Sequence, residues 1–154
     1  VLYFAYGSNL SKSAMRARAP QSRPLVAAVL PEHQLLFESN EPPGAPEAFF
    51  ANVRAHGHEF VPGALYEIGA EDLDALDVYE DIARGVYERV VLGVAQAGGT
   101  RVDAVVYCMR TAGSARLGLP SDTQLEQIRA GYADWGLDVR ILNAALASAR
   151  SKIA

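Results

Sequence analysis

Cysteine is nearly missing from this chain. Of 154 residues only Cys108 carries a thiol, which excludes an internal disulfide framework and a cysteine-cluster zinc site. Positive charge is short as well: 14 Lys and Arg stand against 18 Asp and Glu, for a formal charge of −4. With no basic run, the electrostatic footprint of a nucleic-acid binder is absent. No apolar stretch approaches the ~18–20 residues of a membrane helix. Val1 to Ala5 is apolar but lacks the charged flank and cleavage site of a signal peptide, so the expected location is the cytoplasm. Neither a Gly-Lys-Ser/Thr phosphate loop nor a Gly-x-Ser-x-Gly nucleophile elbow occurs.

What remains is 50% hydrophobic and 21% charged, at a length that fits one domain, residues 1–154. Such a chain buries roughly 68–70% of its unfolded surface and needs no staples. The apolar, aromatic run Val1 to Tyr6 stops at Gly7 and reads as a buried strand. Ser8, Asn9 and Ser11 are helix-capping types ahead of the helix formers Lys12 to Arg18. Leu25 to Leu30 and Gln34 to Phe37 read as two strands, or one bent strand interrupted at Pro31. Ser39 to Pro46 has loop composition and the length of a lid. Ala48 to Val53 and Val61 to Ile68 flank His56-Gly57-His58, which predicts a hairpin with a glycine turn.

Ala70 to Glu80 has helical spacing, with Leu73, Leu76 and Glu80 on one face. Val86 to Val94 and Val102 to Met109 form a second hairpin around Gly98-Gly99. Ser121 to Ala133 and Asp138 to Ala149 read as two helices. Meandering strands with helices gathered at the ends do not alternate as a Rossmann sheet does. The expected class is α+β, one domain, with about six strands in a small mixed sheet or barrel and flanking helices.

Three places can carry chemistry. At Tyr6-Gly7-Ser8-Asn9-Leu10 a glycine between strand and helix lets backbone N–H groups face an anion; an ordinary capped helix start explains the same residues. Glu80 sits in line with an apolar stripe, beside Asp77 and Asp81, and both desolvation and like charge raise a carboxyl pKa toward general acid/base duty. The plainer account of Glu80 is a helix-end acid paired with Arg84 or Arg89. Tyr87 follows the Gly85 turn, which either brings its hydroxyl back toward Glu80 or simply packs it on a strand. Tyr79 reads as local packing. His56 and His58 lack a third metal ligand, and Cys108 reads as a small buried hydrophobe.

The run Tyr3-Phe4-Ala5-Tyr6-Gly7-Ser8-Asn9-Leu10 resembles the N-terminal signature of the γ-glutamylcyclotransferase family. Leu76 to Tyr87 resembles the segment that holds that family's catalytic glutamate and, after a glycine, a tyrosine. Val61 to Ile68 resembles the strand ahead of it, and Pro120-Ser121 and Gly136-Leu137 fall near the ends of its C-terminal helix pattern. The resemblance implies a mixed barrel that turns a γ-glutamyl amine or peptide into 5-oxoproline and a free amine, without a cofactor or metal. It carries the catalytic role to Glu80 and substrate binding to Tyr6, Gly7, Ser8, Asn9, Leu10 and Tyr87. The partner it implies is a small γ-glutamyl molecule, with no nucleic acid and no membrane; a homodimer stays open. One departure stands out: Gln124 occupies the place where members often carry a tyrosine. A non-catalytic module that keeps the γ-glutamyl pocket is the alternative.

Overall fold

The computed structural model describes residues 1–41, 44, 48–109 and 116–151. Its first strand, β1 (Leu2–Ala5), lies between β3 (Phe50–Glu67), antiparallel, and β5 (Arg101–Met109), parallel. Flanked on both edges and covered on both faces, β1 has no solvent side, which is why its sequence is apolar without alternation. The order β3-β1-β5-β4-β2 continues through β4 (Tyr87–Gln96) and β2 (Arg23–Ser39). A further β2–β3 pairing closes the ring. A sixth, two-residue strand, β6 (Arg116–Leu117), hangs on the end of β2. Among the described residues the fold is therefore α+β, a closed five-stranded mixed barrel plus one strand and four helices.

Of the two readings at Pro31, one bent strand holds: β2 runs on with register shifts at Pro24/Val26 and Pro31/His33, bulges that tolerate a residue without an N–H. His56-Gly57-His58 is not a hairpin turn. Pro31 pairs with Phe60 and His33 with Ala55, so residues 56–59 bulge out of one continuous 18-residue strand. Glu32 and His58 take positive φ, 59° and 70°, at this double bulge. The glycine signal marked a break in pairing, and the chain did not reverse there because its partner strand kept direction. Both histidines are exposed, and among the described residues no group of three His, Cys, Asp or Glu is placed for a metal. The Gly98-Gly99 hairpin between β4 and β5 forms as read.

The helices are α1 (Lys12–Arg18), α2 (Ala70–Tyr79), α3 (Asp122–Trp135) and α4 (Arg140–Ser151). Ser11 caps α1 by accepting from the Ala14 N–H at 3.1 Å. In α4, Leu142, Ala145, Leu146 and Ala149 form a buried stripe of helical spacing that faces β2. None of these helices is long and apolar enough to cross a membrane.

Helix α3 matters most to the site because it clamps the turn after β1. Gly131 lies so close to Leu10 that an added Cβ would stand 2.2 Å from the Leu10 Cβ. Beside it the Trp135 indole donates to the Leu10 carbonyl at 2.9 Å, and the Lys12 N–H donates to Asp134 at 2.9 Å. Leu10 itself is fully buried. Gly131→Ala is expected to cost about 1–3 kcal/mol, the range for overpacking a filled site. Gly57→Ala, whose Cβ meets nothing within 4 Å, should stay within about 0.5 kcal/mol of the parent. Urea unfolding of both variants checks the contrast.

Candidate active site

One end of the barrel opens on a cavity of about 330 Å³. Its floor is aromatic, from Tyr3, Tyr6, Tyr87 and Tyr107, and one wall is the turn Gly7 to Asn9. Tyr79, Glu80, Asp81 and Arg84 supply the wall that adjoins it, while Glu41, Ala48, Phe50, Ala51, Val86 and Gln124 complete the lining. Residues separated by more than seventy positions thus meet because β1 and α2 end at the same mouth of the barrel.

Gly7, Ser8 and Asn9 do line this cavity; Leu10 does not. Ser8–Leu10 is a single 3-10 turn in which the Leu10 N–H closes onto the Gly7 carbonyl at 3.0 Å. That bond removes Leu10 from the donors the sequence offered and makes it an anchor of the turn under α3. The Ser8 and Asn9 N–H groups lie ahead of any acceptor within the turn.

Asn9 is buried and its side chain makes three hydrogen bonds. Its Nδ2 donates to the Tyr3 hydroxyl at 2.9 Å and to Glu80 Oε1 at 3.5 Å. Its Oδ1 accepts from Arg18 Nη1 at 2.6 Å. The same Nη1 reaches Ser8 Oγ at 2.9 Å, and Nη2 donates to Gln127 at 3.1 Å. The guanidinium lies 3.9 Å over the Tyr79 ring. Sequence alone marks Arg18 only as a helix former and Tyr79 only as packing. Their roles were hidden because α1 turns back toward the residues it has just left, and no local spacing signals that return.

Glu80 terminates α2, its N–H still bonded to the Leu76 carbonyl at 2.8 Å. Asp81 then takes φ 58° and Gly85 φ 74°, so the chain swings away and leaves the carboxyl facing the cavity. Neither arginine proposed as its partner reaches it. Arg84 pairs with Asp81 at 2.9 Å, and Arg89 pairs with Asp77. Burial pushes the Glu80 carboxyl up to about 7, moderated by the charge of Arg18. The neighbouring acids play no such part. Burial works to raise Asp77, but hydrogen bonds from Arg89 and from the Tyr107 hydroxyl, 2.6 Å away, outweigh it and hold it below the usual carboxylate range.

Tyr87 lines the cavity with its hydroxyl donating to the Ala51 carbonyl at 2.6 Å. Tyr6 likewise donates, to the Tyr107 carbonyl at 2.6 Å. Both phenols are held well above their ordinary range by burial, Tyr87 further by Glu80. Gln124 sits in the first turn of α3 and lines the same cavity. Of the expected lid, Ser39 is buried at the end of β2 and Glu41 reaches the rim; Pro42, Pro43, Ala45 and Pro46 lie outside the described residues. Cys108 is half-buried on β5, outside the cavity, with its thiol pushed up to about 11 by burial.

The shift at Glu80 has a cost in stability. A carboxyl that titrates near 7 folded and near ~4.3 unfolded favours the folded state only while protonated. The penalty is absent below about pH 4, grows between the two values and is complete above pH 7. Glu80→Gln, which cannot ionise, should therefore be more stable than the parent by about 3 kcal/mol at pH 8.5 and by almost nothing at pH 4. Urea midpoints at the two pH values test the sign.

Comparison with known proteins agrees with this geometry. A family profile described as gamma-glutamyl cyclotransferase, AIG2-like, matches residues 3–135. Among curated proteins no sequence matches significantly. A solved gamma-glutamyl cyclotransferase is 25% identical, with a TM-score of 0.80 over 94% of this chain and 85% of its own. An uncharacterised protein from Homo sapiens is also 25% identical, with a TM-score of 0.79 over 94% of this chain and 85% of its own. A yeast gamma-glutamyl cyclotransferase described as specific to glutathione shares the fold at 11% identity and a TM-score of 0.67, covering 99% of this chain and 96% of its own. With its barrel, its glycine turn and the glutamate at the end of α2 in the expected order, the chain belongs to the gamma-glutamyl cyclotransferase, AIG2-like family.

Proposed function

We propose that this chain is a γ-glutamyl cyclotransferase that releases 5-oxoproline and a free amine, with Glu80 as general acid/base. The observation that carries this reading is a carboxyl titrating near 7, tied through Asn9 to a backbone turn at the mouth of an aromatic cavity. In the reaction the substrate's α-amine attacks its own γ-glutamyl carbonyl. Both groups belong to one molecule, so holding it folded supplies much of the rate, on the order of 7–11 kcal/mol.

The amine must give up a proton before it can attack. An α-amino group titrates near ~7.7–8.0, some 3.5 units above an ordinary glutamate, a gap of about 5 kcal/mol. With Glu80 near 7 the gap shrinks to about 1 kcal/mol. Glu80 takes one proton before attack and returns it to the departing nitrogen. The freed carboxylate then takes the second proton from the ring nitrogen, which is cationic after attack, as the lactam N–H forms. Around it, the Tyr6 and Tyr87 oxygens present lone pairs to the cavity, since their protons go to backbone carbonyls. They suit the α-ammonium. The N–H groups of Gly7, Ser8 and Asn9 suit the α-carboxylate or the developing oxyanion.

The test is release of 5-oxoproline from γ-glutamyl amino acids, glutathione and γ-glutamyl amines. Wild-type protein should turn over at least one. Glu80→Gln should lower that rate about 100- to 10,000-fold, the contribution of a lost acid/base. In the wild type kcat/KM should rise with pH through an inflection near 7, and the Glu80→Gln residue of activity should lack that limb. Calorimetric binding of 5-oxoproline without turnover of any panel member would instead establish a binding module.

A further inference from the structure

Five tyrosines line the cavity, and they do not present the same chemistry to it. A phenol has one proton to give and lone pairs to accept with. Tyr6 and Tyr87 give theirs to the Tyr107 and Ala51 carbonyls, and Tyr107 gives its own to Asp77. A carbonyl or a carboxylate only accepts, so these directions are forced, and none of the three hydroxyls has a proton left for a ligand. Tyr79 shares a 3.5 Å contact with Ser8 Oγ and is the most exposed of the five.

Tyr3 is the reverse. An amide's oxygen and nitrogen are distinguished by their partners, and here the partner is unambiguous: a guanidinium can only donate. Arg18 at 2.6 Å therefore fixes Oδ1 of Asn9 on its own side and turns Nδ2 toward Tyr3 and Glu80. Tyr3 must accept from Nδ2, which leaves its proton uncommitted. Among the described residues its oxygen has no second hydrogen-bond partner, although the side chain is buried to 3% exposure. The same amide nitrogen touches Tyr3 Oη and Glu80 Oε1, so the unused O–H and the acid/base stand side by side.

We propose that Tyr3 is a catalytic hydrogen-bond donor to the reacting γ-glutamyl carbonyl oxygen, with Arg18 and Asn9 as the positioning residues that set its polarity. The inference rests on the cyclotransferase reading above. When the amine nitrogen bonds to the carbonyl carbon, the C=O π pair moves onto oxygen, and that oxyanion accepts the Tyr3 O–H. Collapse restores C=O as the C–N bond to the leaving amine breaks, and Glu80 delivers the proton that amine requires. Tyr3 keeps its proton throughout. Burial, and next to it the Glu80 charge, hold this phenol far above its ordinary range, so it serves as a donor and never as an acid.

The decisive experiment is a double-mutant cycle with the substrate the wild type turns over best. Tyr3→Phe should lower kcat about 100- to 1,000-fold with KM unchanged, the loss expected for one oxyanion donor. Asn9→Asp retains the Arg18 contact but puts an acceptor opposite Tyr3, which then donates to residue 9 instead of the substrate. In that background, with each protein read at its own pH optimum, Tyr3→Phe should cost almost nothing further. A Tyr3→Phe protein that keeps its kcat, or that changes only KM or its unfolding midpoint, overturns the role of Tyr3. An equal loss in both backgrounds overturns the role of Asn9 and Arg18. If Tyr3→Phe does not fold, 3-fluorotyrosine at position 3, a more acidic donor, replaces it: a change in kcat that disappears with Asn9→Asp supports the inference, and unchanged kcat overturns it. These failures leave the cyclotransferase reading standing, whereas a wild type inactive on every panel member removes that reading and the Tyr3 role together.

Discussion

The contact between Arg18 and Asn9 is the one on which the cavity's chemistry depends. A guanidinium cannot accept a hydrogen bond, so its position dictates which end of the amide faces it. The amide in turn directs one donor at Tyr3 and one at Glu80. Arg18 is itself held on three sides, by Ser8, by Gln127 of α3 and by the Tyr79 ring. The cation therefore does two things at once. It orients a neutral group, and its charge limits how far burial raises Glu80. A site with the same carboxyl but no cation would hold it neutral to a higher pH, leaving less carboxylate to take a proton.

Charges elsewhere around the mouth are arranged so that this balance is not disturbed. Asp77 is neutralised from outside by Arg89 of β4 and from inside by the Tyr107 hydroxyl. Asp81 is paired with Arg84 within one turn. Two acids that flank Glu80 in sequence are thus removed from its electrostatics, and desolvation is left as the force that raises it. The arginines act on Glu80 indirectly, by engaging its neighbours.

Local signals revealed the parts of this molecule that depend on neighbours in the chain. Strand, glycine and cap residues at Val1 to Ser11 specify the turn, and Leu73, Leu76 and Glu80 specify an inward-facing acid. The β4–β5 hairpin was legible because Gly98-Gly99 falls between two β-branched runs. His56-Gly57-His58 has the same local chemistry and a different outcome. There the partner strand β2 continues past it, and register with a distant segment overrides the turn propensity. The same limit hid Arg18 and left Leu10 misplaced among the binding residues. What a side chain faces is decided by which helix lies over it, and α3 arrives more than a hundred residues later.

Barrel closure also governs when the site can come into being. β1 has β3 on one side and β5 on the other, with Tyr3 opposite Val105. The strand that leads into the Gly7 to Leu10 turn is among the first residues of this sequence, yet its second edge waits on residues about two-thirds of the way along. Helix α3, which pins the turn, comes later still. Contacts of such long separation form slowly, because loop-closure entropy must be met before they reward the chain. The β4–β5 hairpin and the β2–β3 ribbon have far shorter loops to close. The cavity is consequently a product of final assembly, complete only once α3 has docked on the turn that forms its wall.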